Sequence, residues 1–277
     1  MVDAATRQAF LDIASHEYAI PETVNPTAFV LNALPLLGET DGEFRERMVY
    51  GTLHRWIVSE AIDTPGLRAI HLALLSDQAL FSGIGENGSD TIFLRTFSVL
   101  LLVPTIYRHR KQSYLSSEEI VMTCRELARY LREEKDLRGY VSQEKWWAHG
   151  IAHAADAVGQ LVQCEDLPHE EIAPLLEAVA IAMTPGTAVY AHEEDARMTT
   201  AILKLFRRDE VPLEMIEKWL TLVVPEARFN GQLPDVHIQY VNARNFLRCL
   251  LHQARASALT DEQVALIEAA HDALPAR

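Results

Sequence analysis

The stretch EEKDLRGYVSQEKWWAHGIAHAADAVGQLV, residues 133–162, holds the densest group of chemically capable side chains in this sequence. Apolar residues recur in it at the helical period, and we predict one helix from Gln143 to Gln163. The apolar residues that share one face of this helix are Ile151, Ala155, Val158 and Val162. The stretch therefore predicts a core helix whose opposite face is polar.

That polar face carries His149, His153 and Asp156, with Trp146 beside them. An H-x-x-x-H spacing places two imidazoles on one side of a helix. Three interpretations stay open: a structural face hydrogen-bonded to a neighbouring element, a ligand pocket with Trp146 or Tyr140 as its wall, and a divalent metal site with Asp156 as third ligand. The metalloprotease pattern is absent, because no glutamate follows His149.

Three further residues are candidate ligand-binding groups. Arg138 either pairs with Asp136 in a local turn or places its guanidinium over a groove, to hold a carboxylate or phosphate. Glu194 and Arg197 lie at the start of a later helix, where the helix dipole favours acidic residues. The candidate binding set is Arg138, Tyr140, Trp146, His149, His153, Asp156, Glu194 and Arg197, and the candidate metal set is His149, His153 and Asp156.

Helical periodicity runs through almost the whole chain, and no convincing alternating strand pattern appears. Three predicted helices begin at recognisable caps. These caps are Asn25-Pro26, the Ser116–Glu119 capping box and the Thr260–Gln263 capping box. Loops are mostly short, so successive helices should run antiparallel. We predict an all-α fold of about twelve helices, forming a single domain over residues 1–277.

A weak repeat is also visible. Arg45, Arg95 and Arg197 each lie early in a predicted helix and just after acidic residues, and Arg244 extends the series. The spacings are about 50 residues or about twice that, which is typical of stacked helical hairpins. The repeat predicts a short solenoid in which these arginines tie each helix to the next loop.

Composition limits the class of partner and the compartment. The net charge of −14 disfavours nucleic acid as a partner. The three cysteines lie far apart, and the N-terminus lacks the pattern of a signal peptide, so we expect a cytoplasmic protein. The most apolar run, Phe97 to Tyr107, is too short to cross a bilayer, and no membrane partner is expected.

Four motifs together resemble a known family: RTFS at 95–98, EKDLRGY at 134–140, KWWAHGIAHAAD at 145–156 and EEDAR at 193–197. They are similar to the bacterial domain of unknown function 2785 family (DUF 2785). The resemblance implies an all-helical, HEAT-like α-solenoid and marks His149, His153 and Asp156 as motif positions. Trp146 stands where the family pattern has glycine.

Two functions are compatible with these observations. The first is a binding or scaffold module, with a polar pocket on its concave face around His149, His153 and Asp156, for a protein, peptide or small molecule. The alternative is a metal-dependent hydrolase that uses the same three residues and a divalent cofactor. No G-x-S-x-G elbow and no phosphate-binding glycine loop is present, so whether the protein is an enzyme stays open.

Overall fold

The computed structural model describes residues 2–224 and 232–274, and the regular secondary structure of this part is helical apart from one short hairpin. Its α-helices are α1 Ala4–Ser15, α2 Pro26–Ala33, α3 Gly51–Val58, α4 Thr64–Leu74, α5 Ile92–Lys111, α6 Ser117–Glu133, α7 Gly150–Leu161, α8 Ile172–Met183, α9 Glu194–Phe206, α10 Leu213–Val223, α11 Asp235–Arg255 and α12 Asp261–Asp272. The 3-10 helices are Leu34–Gly38 and His169–Glu171, a π-helix spans Phe44–Tyr50, and the hairpin is β1 Tyr140–Ser142 with β2 Trp146–Trp147. The all-α prediction is confirmed.

The predicted caps begin their helices as expected. The Asn25 side chain accepts a hydrogen bond from the Ala28 amide at 2.9 Å. At the start of α6, the Ser116 amide donates to Glu119 and the Glu119 amide donates to the Ser116 hydroxyl. The reciprocal capping box at Thr260 is present as well. These side chains satisfy amides that have no partner inside the helix.

The predicted helix from Gln143 to Gln163 is wrong over its first seven residues. The chain forms the β1–β2 hairpin there, and α7 begins only at Gly150. The Ala148 amide donates to the Gly139 carbonyl at 2.8 Å, which extends the pairing beyond the strands. Trp146 and His149 both have φ of 57°, outside the helical region. The helical spacing of the apolar residues gave no indication of these two positive φ angles.

The chain divides into two compact units, Met1–Glu119 with Glu133–Ala157, and Ile120–Arg132 with Val158–Arg277. In the first unit α5 packs against α3, α4 and the 3-10 helix at Leu34. In the second unit α11 packs against α9 and α12, and α10 packs against α8. The single domain over residues 1–277 stays a prediction. No helix in the described part of the chain is long and apolar enough to cross a membrane.

A fully buried ion pair lies at the centre of the first unit. The Arg95 guanidinium on α5 donates to both carboxylate oxygens of Glu134, at 2.6 and 2.9 Å, and neither side chain is exposed to solvent. Arg95 also donates to the Glu86 carbonyl. Glu134 accepts from the Asp136 amide at 2.9 Å. The pair therefore joins α5, the loop before it and the segment after α6.

Replacing Glu134 with Gln should strongly destabilise the first unit. The substitution leaves the Arg95 charge buried without its counter-ion, which costs about 3–5 kcal/mol of unfolding free energy. The control is Glu43→Gln, because Glu43 pairs with Arg47 at a site where both side chains are about 60% exposed. That control should change the unfolding free energy by about 1 kcal/mol or less. Urea unfolding would contradict the account if the two variants lost equal stability.

His71 is a strongly perturbed titratable group of the first unit. It is completely buried on α4, and its Nδ1 lies 2.9 Å from the Thr105 hydroxyl. That hydroxyl donates its single proton to the Leu102 carbonyl, so it accepts from the Nδ1–H of His71. Burial, together with the nearby His109, lowers the pKa of His71 to about 3. The imidazole is therefore neutral in the folded protein at neutral pH.

This pKa makes folding sensitive to mild acid. The unfolded chain binds a proton at His71 below its ordinary pKa of about 6.5, whereas the folded protein does not. Stability is thus fully present above that pH and falls by about 1.4 kcal/mol per pH unit below it. Urea unfolding of His71→Asn should show a pH dependence that is shallower by one proton between pH 6.5 and 5. An unchanged slope would contradict the assignment.

Candidate functional site

The β1–β2 hairpin is fastened to the π-helix by two side chains. Arg45 donates to the carbonyl of Lys145 at 2.5 Å and to that of Trp147 at 3.1 Å. The neighbouring Glu46 accepts from the Trp147 amide at 3.2 Å. The carbonyls of Lys145 and Trp147 and the amide of Trp147 are therefore satisfied by one basic and one acidic side chain, which fixes where the hairpin lies.

Arg45 makes these contacts from a fully buried position. Its guanidinium lies 4.1 Å from the ring centre of Phe93 and 4.7 Å from that of Phe97, so aromatic faces stabilise the charge. Burial still lowers the pKa of Arg45, although Glu46 opposes that effect. Burial also raises the pKa of Glu46, against its hydrogen bonds from Trp147 and Arg45.

The two histidines lie inside the first unit rather than on an open face. His149 and His153 are only 7% and 6% exposed. The His149 ring stacks on Trp147 at 4.8 Å, and the rings of the two histidines are 5.7 Å apart. The His153 Nδ1 donates to the Thr96 carbonyl at 3.2 Å. Both imidazoles are therefore largely covered, and the Trp147 indole of the hairpin lies against His149 at the junction with α7.

The structure offers the predicted metal set no support. Within residues 2–224 and 232–274, no group of three or more His, Cys, Asp or Glu side chains is arranged to hold a metal ion. Asp156 lies on α7 and is partly buried. As ligands of a metal, and as catalytic groups of a hydrolase, His149, His153 and Asp156 remain a prediction.

The remaining candidates of the first unit have separate surroundings. Asp136 is fully buried and accepts from Nε and Nη2 of Arg138, while Arg138 also donates to the Ser89 carbonyl at 2.7 Å. The local ion pair is thus formed. Burial acts to raise the pKa of Asp136, but hydrogen bonds from Arg138 and from the Gly88 amide outweigh it and lower that pKa. Tyr140 is 43% exposed, with its ring 5.1 Å from Trp147.

Glu194 and Arg197 belong to the second unit, in the first turn of α9. Glu194 is buried, and its carboxylate accepts from the His192 amide at 2.8 Å. Arg197 is partly buried, and its amide donates to the Glu193 carbonyl. Glu194 lies at the N-terminus of α9, where the helix dipole stabilises a negative charge.

An open cleft lies beside Trp146, at the tip of the hairpin. Its volume is about 620 Å³. Its lining residues are Thr40, Asp41, Glu43, Gln143, Glu144, Lys145 and Trp146. The Gly42 amide donates to the Glu144 carbonyl at 2.8 Å and so joins the two walls. All of these residues belong to the first unit.

Trp146 is held tightly at the floor of this cleft. A Cβ added at Gly42 would lie 2.5 Å from the indole Cγ, so only glycine permits this packing. The φ of Trp146, 57°, is uncommon for a bulky residue. The Arg47 guanidinium lies 5.2 Å from the centre of the indole ring. The indole thus already contacts one cation of its own chain.

The cleft is acidic. Glu43 and Glu144 are exposed, and Asp41 is partly buried. Hydrogen bonding from Ser142 lowers the pKa of Glu144. Burial opposes a similar lowering at Asp41, but the Phe44 amide and Arg7 prevail and hold its pKa below the usual value. The lining cation, Lys145, is bound to both carboxylate oxygens of Asp90 at 2.7 Å.

Sequence reasoning identified Trp146 but missed the other wall of the cleft. Residues 40–43 are about a hundred positions away in sequence, and no local pattern connects them to the hairpin. The usable signal was the sequence around Ser142-Gln-Glu-Lys145, because a short polar segment between Tyr140-Val141 and the two tryptophans is typical of a hairpin.

The fold places this chain among the all-helical proteins. The model of the family described as "Protein of unknown function (DUF2785)" matches residues 80–252, which is more than half of the 277 residues. The chain belongs to this family, and the predicted family resemblance is confirmed. No curated protein and no solved structure matches it significantly.

A pair of glycine–alanine comparisons tests the backbone at the two histidines. Position 149 has positive φ, so His149→Gly should be more stable than His149→Ala by about 1 kcal/mol. Position 153 lies inside α7, where His153→Gly should be less stable than His153→Ala by about 0.5–1 kcal/mol. Both members of each pair lose the imidazole, so the difference reports the backbone alone. The same sign at both positions, measured by urea unfolding, would contradict the hairpin-to-helix junction.

Proposed function

We propose that the protein is a binding module that recognises a basic peptide segment, and that the cleft beside Trp146 takes a lysine or arginine side chain of that segment. The observation that carries the proposal is the convergence of Asp41, Glu43 and Glu144 around one indole in a cleft of about 620 Å³. An aromatic face with surrounding carboxylates is the chemistry that binds ammonium and guanidinium groups.

The chain's own arginines show how such a group fits. Arg47 lies over the indole and pairs with Glu43 at 3.2 Å, and Arg7 pairs with Asp41 at 2.9 Å. Both arginines are well exposed, at 63% and 40% of their side chains. Exposed ion pairs of this kind are worth about 1 kcal/mol or less, so an incoming cation displaces them at small cost.

Local backbone irregularity supports the assignment of function to this region. The strained φ at Trp146 lies directly in the cleft, and strained residues cluster at ligand sites. The π-helix Phe44–Tyr50 begins next to Glu43, and π-helical turns are frequent at functional sites. The cleft thus combines an uncommon backbone conformation with side chains that can bind a cation.

We also propose an arrangement for the helices that carry this cleft. We infer helical hairpins of HEAT type with a period near 50 residues. Hydrogen bonds inside each unit support this period. Arg108 donates to the carbonyl of Ile57, 51 residues earlier, and Arg138 to that of Ser89, 49 residues earlier. In the second unit Arg208 donates to the carbonyl of Val162, 46 residues earlier.

The test is a titration with a capped pentapeptide of alternating arginine and lysine. Its affinity should fall about tenfold or more in Trp146→Ala and in Asp41→Asn/Glu144→Gln, because each change removes direct contacts of a cation. Gly42→Ala should weaken binding too, because the added methyl displaces the indole. Isothermal calorimetry at low and moderate salt measures all three.

A charge-matched control separates the cleft from the general acidity of the chain. Asp209→Asn/Glu217→Gln removes the same two charges from exposed positions of the second unit. This control should change the affinity less than twofold. Equal losses in the control and in the cleft variants would overturn the proposal, as would the absence of binding to the wild-type protein.

A further inference from the structure

A second cleft, of about 340 Å³, lies in the second unit between α11 and α12. Its lining residues are Arg248, Leu251, His252, Arg255, Ala256 and His271. No acidic side chain is among its lining residues in the described part of the chain, although the chain as a whole carries a net charge of −14. The side chains of this cleft are therefore basic, whereas the net charge of the chain is negative.

The spacing along α11 accounts for the convergence. Arg248, Leu251, His252 and Arg255 occupy positions i, i+3, i+4 and i+7 of α11, so their side chains lie on one face of the helix. Leu251 is 8% exposed and forms an apolar floor. His271, in the last turn of α12, faces this surface from the other side of the cleft.

Part of this basic face is available to a ligand. Among the described residues, Arg248 and His252 form no ion pair or hydrogen bond through their side chains, and both are exposed. Arg255 uses one nitrogen, Nη2, in its contact with Glu268 at 2.5 Å, which leaves other guanidinium donors. His271 contacts Asp272, whose side chain is 74% exposed.

Helix dipoles explain only some of these residues. A basic side chain in the last turn of a helix stabilises the partial negative charge there, and this accounts for His252, Arg255 and His271. Arg248 lies two turns before the end of α11, beyond the reach of that effect. One turn earlier still, Arg244 has a buried Nε with no hydrogen-bond partner in the described part of the chain. The basic face therefore continues past the region that the dipole requires.

We propose that this cleft binds a phosphate group. Two guanidinium groups present paired N–H donors that match the geometry of a tetrahedral oxyanion, and imidazoles add further donors. The volume admits a phosphate ion or a small phosphate monoester. This site is independent of the acidic cleft beside Trp146, because it lies in the other unit and takes the opposite charge.

An NMR titration with inorganic phosphate tests the proposal. The wild-type protein in 50 mM sodium chloride should show saturable shifts of the amide resonances of α11 and α12, whereas added chloride at equal ionic strength should not. Arg248→Gln/His252→Gln should weaken phosphate binding about tenfold or more. Glu268→Gln should strengthen it, because the change removes a carboxylate that competes for Arg255.

The matched control is Arg207→Gln, which removes an exposed guanidinium of the same unit outside the cleft. It should leave the phosphate affinity within twofold of the wild-type value. A parallel titration with glycerol 3-phosphate distinguishes the free phosphate ion from a phosphate ester as the ligand. An affinity equal to that of inorganic phosphate indicates the free ion, and a tighter affinity indicates an esterified phosphate. Absence of saturable shifts, equal shifts with chloride, or an equal loss in Arg207→Gln would each overturn the proposal.

Discussion

The buried ion pair between Arg95 and Glu134 is the constraint on which the rest of the first unit depends. Neither side chain contacts solvent, so each charge is stable there only because the other is present. The pair leads into a longer network. Glu134 accepts a hydrogen bond from the Asp136 amide. The Asp136 carboxylate in turn accepts from the Gly88 amide and from Arg138. Gly88 has positive φ, and this conformation directs its loop toward Asp136. The EKDLRGY motif therefore connects a glycine-rich loop to the hairpin.

A second buried arginine completes the arrangement. Arg45 and Glu46 hold the β2 backbone, and Arg45 rests on the rings of Phe93 and Phe97 from α5. The hairpin is therefore held by the fully buried Arg45 and by Glu46, whose side chain is 22% exposed. This placement turns Trp147 inward onto His149 and leaves Trp146 in an open acidic cleft. The two adjacent tryptophans consequently have different roles, one in packing and one in proposed recognition.

The sequence predicted the helices well where local chemistry sets their ends. Asn25, Ser116 and Thr260 were recognisable caps, because a cap is a contact within four residues. The site was predicted less well. A helical wheel assumes one helix, and a hairpin with positive φ at Trp146 and His149 breaks that assumption without changing the spacing of apolar residues. The burial of His149 and His153 also depends on Trp147 and Thr96, contacts that only the tertiary structure reveals.

The most direct test of the account is a comparison of Trp146 with the two histidines during ligand binding. In a titration with N-acetyl-arginine amide, followed by NMR of the four indole N–H groups and of the imidazole ring protons, the Trp146 indole resonance should move and saturate. The resonances of the His149 and His153 ring protons should not shift, because both imidazoles are buried and neither lines the cleft. Movement of the histidine resonances with an unmoved Trp146 resonance would contradict the account.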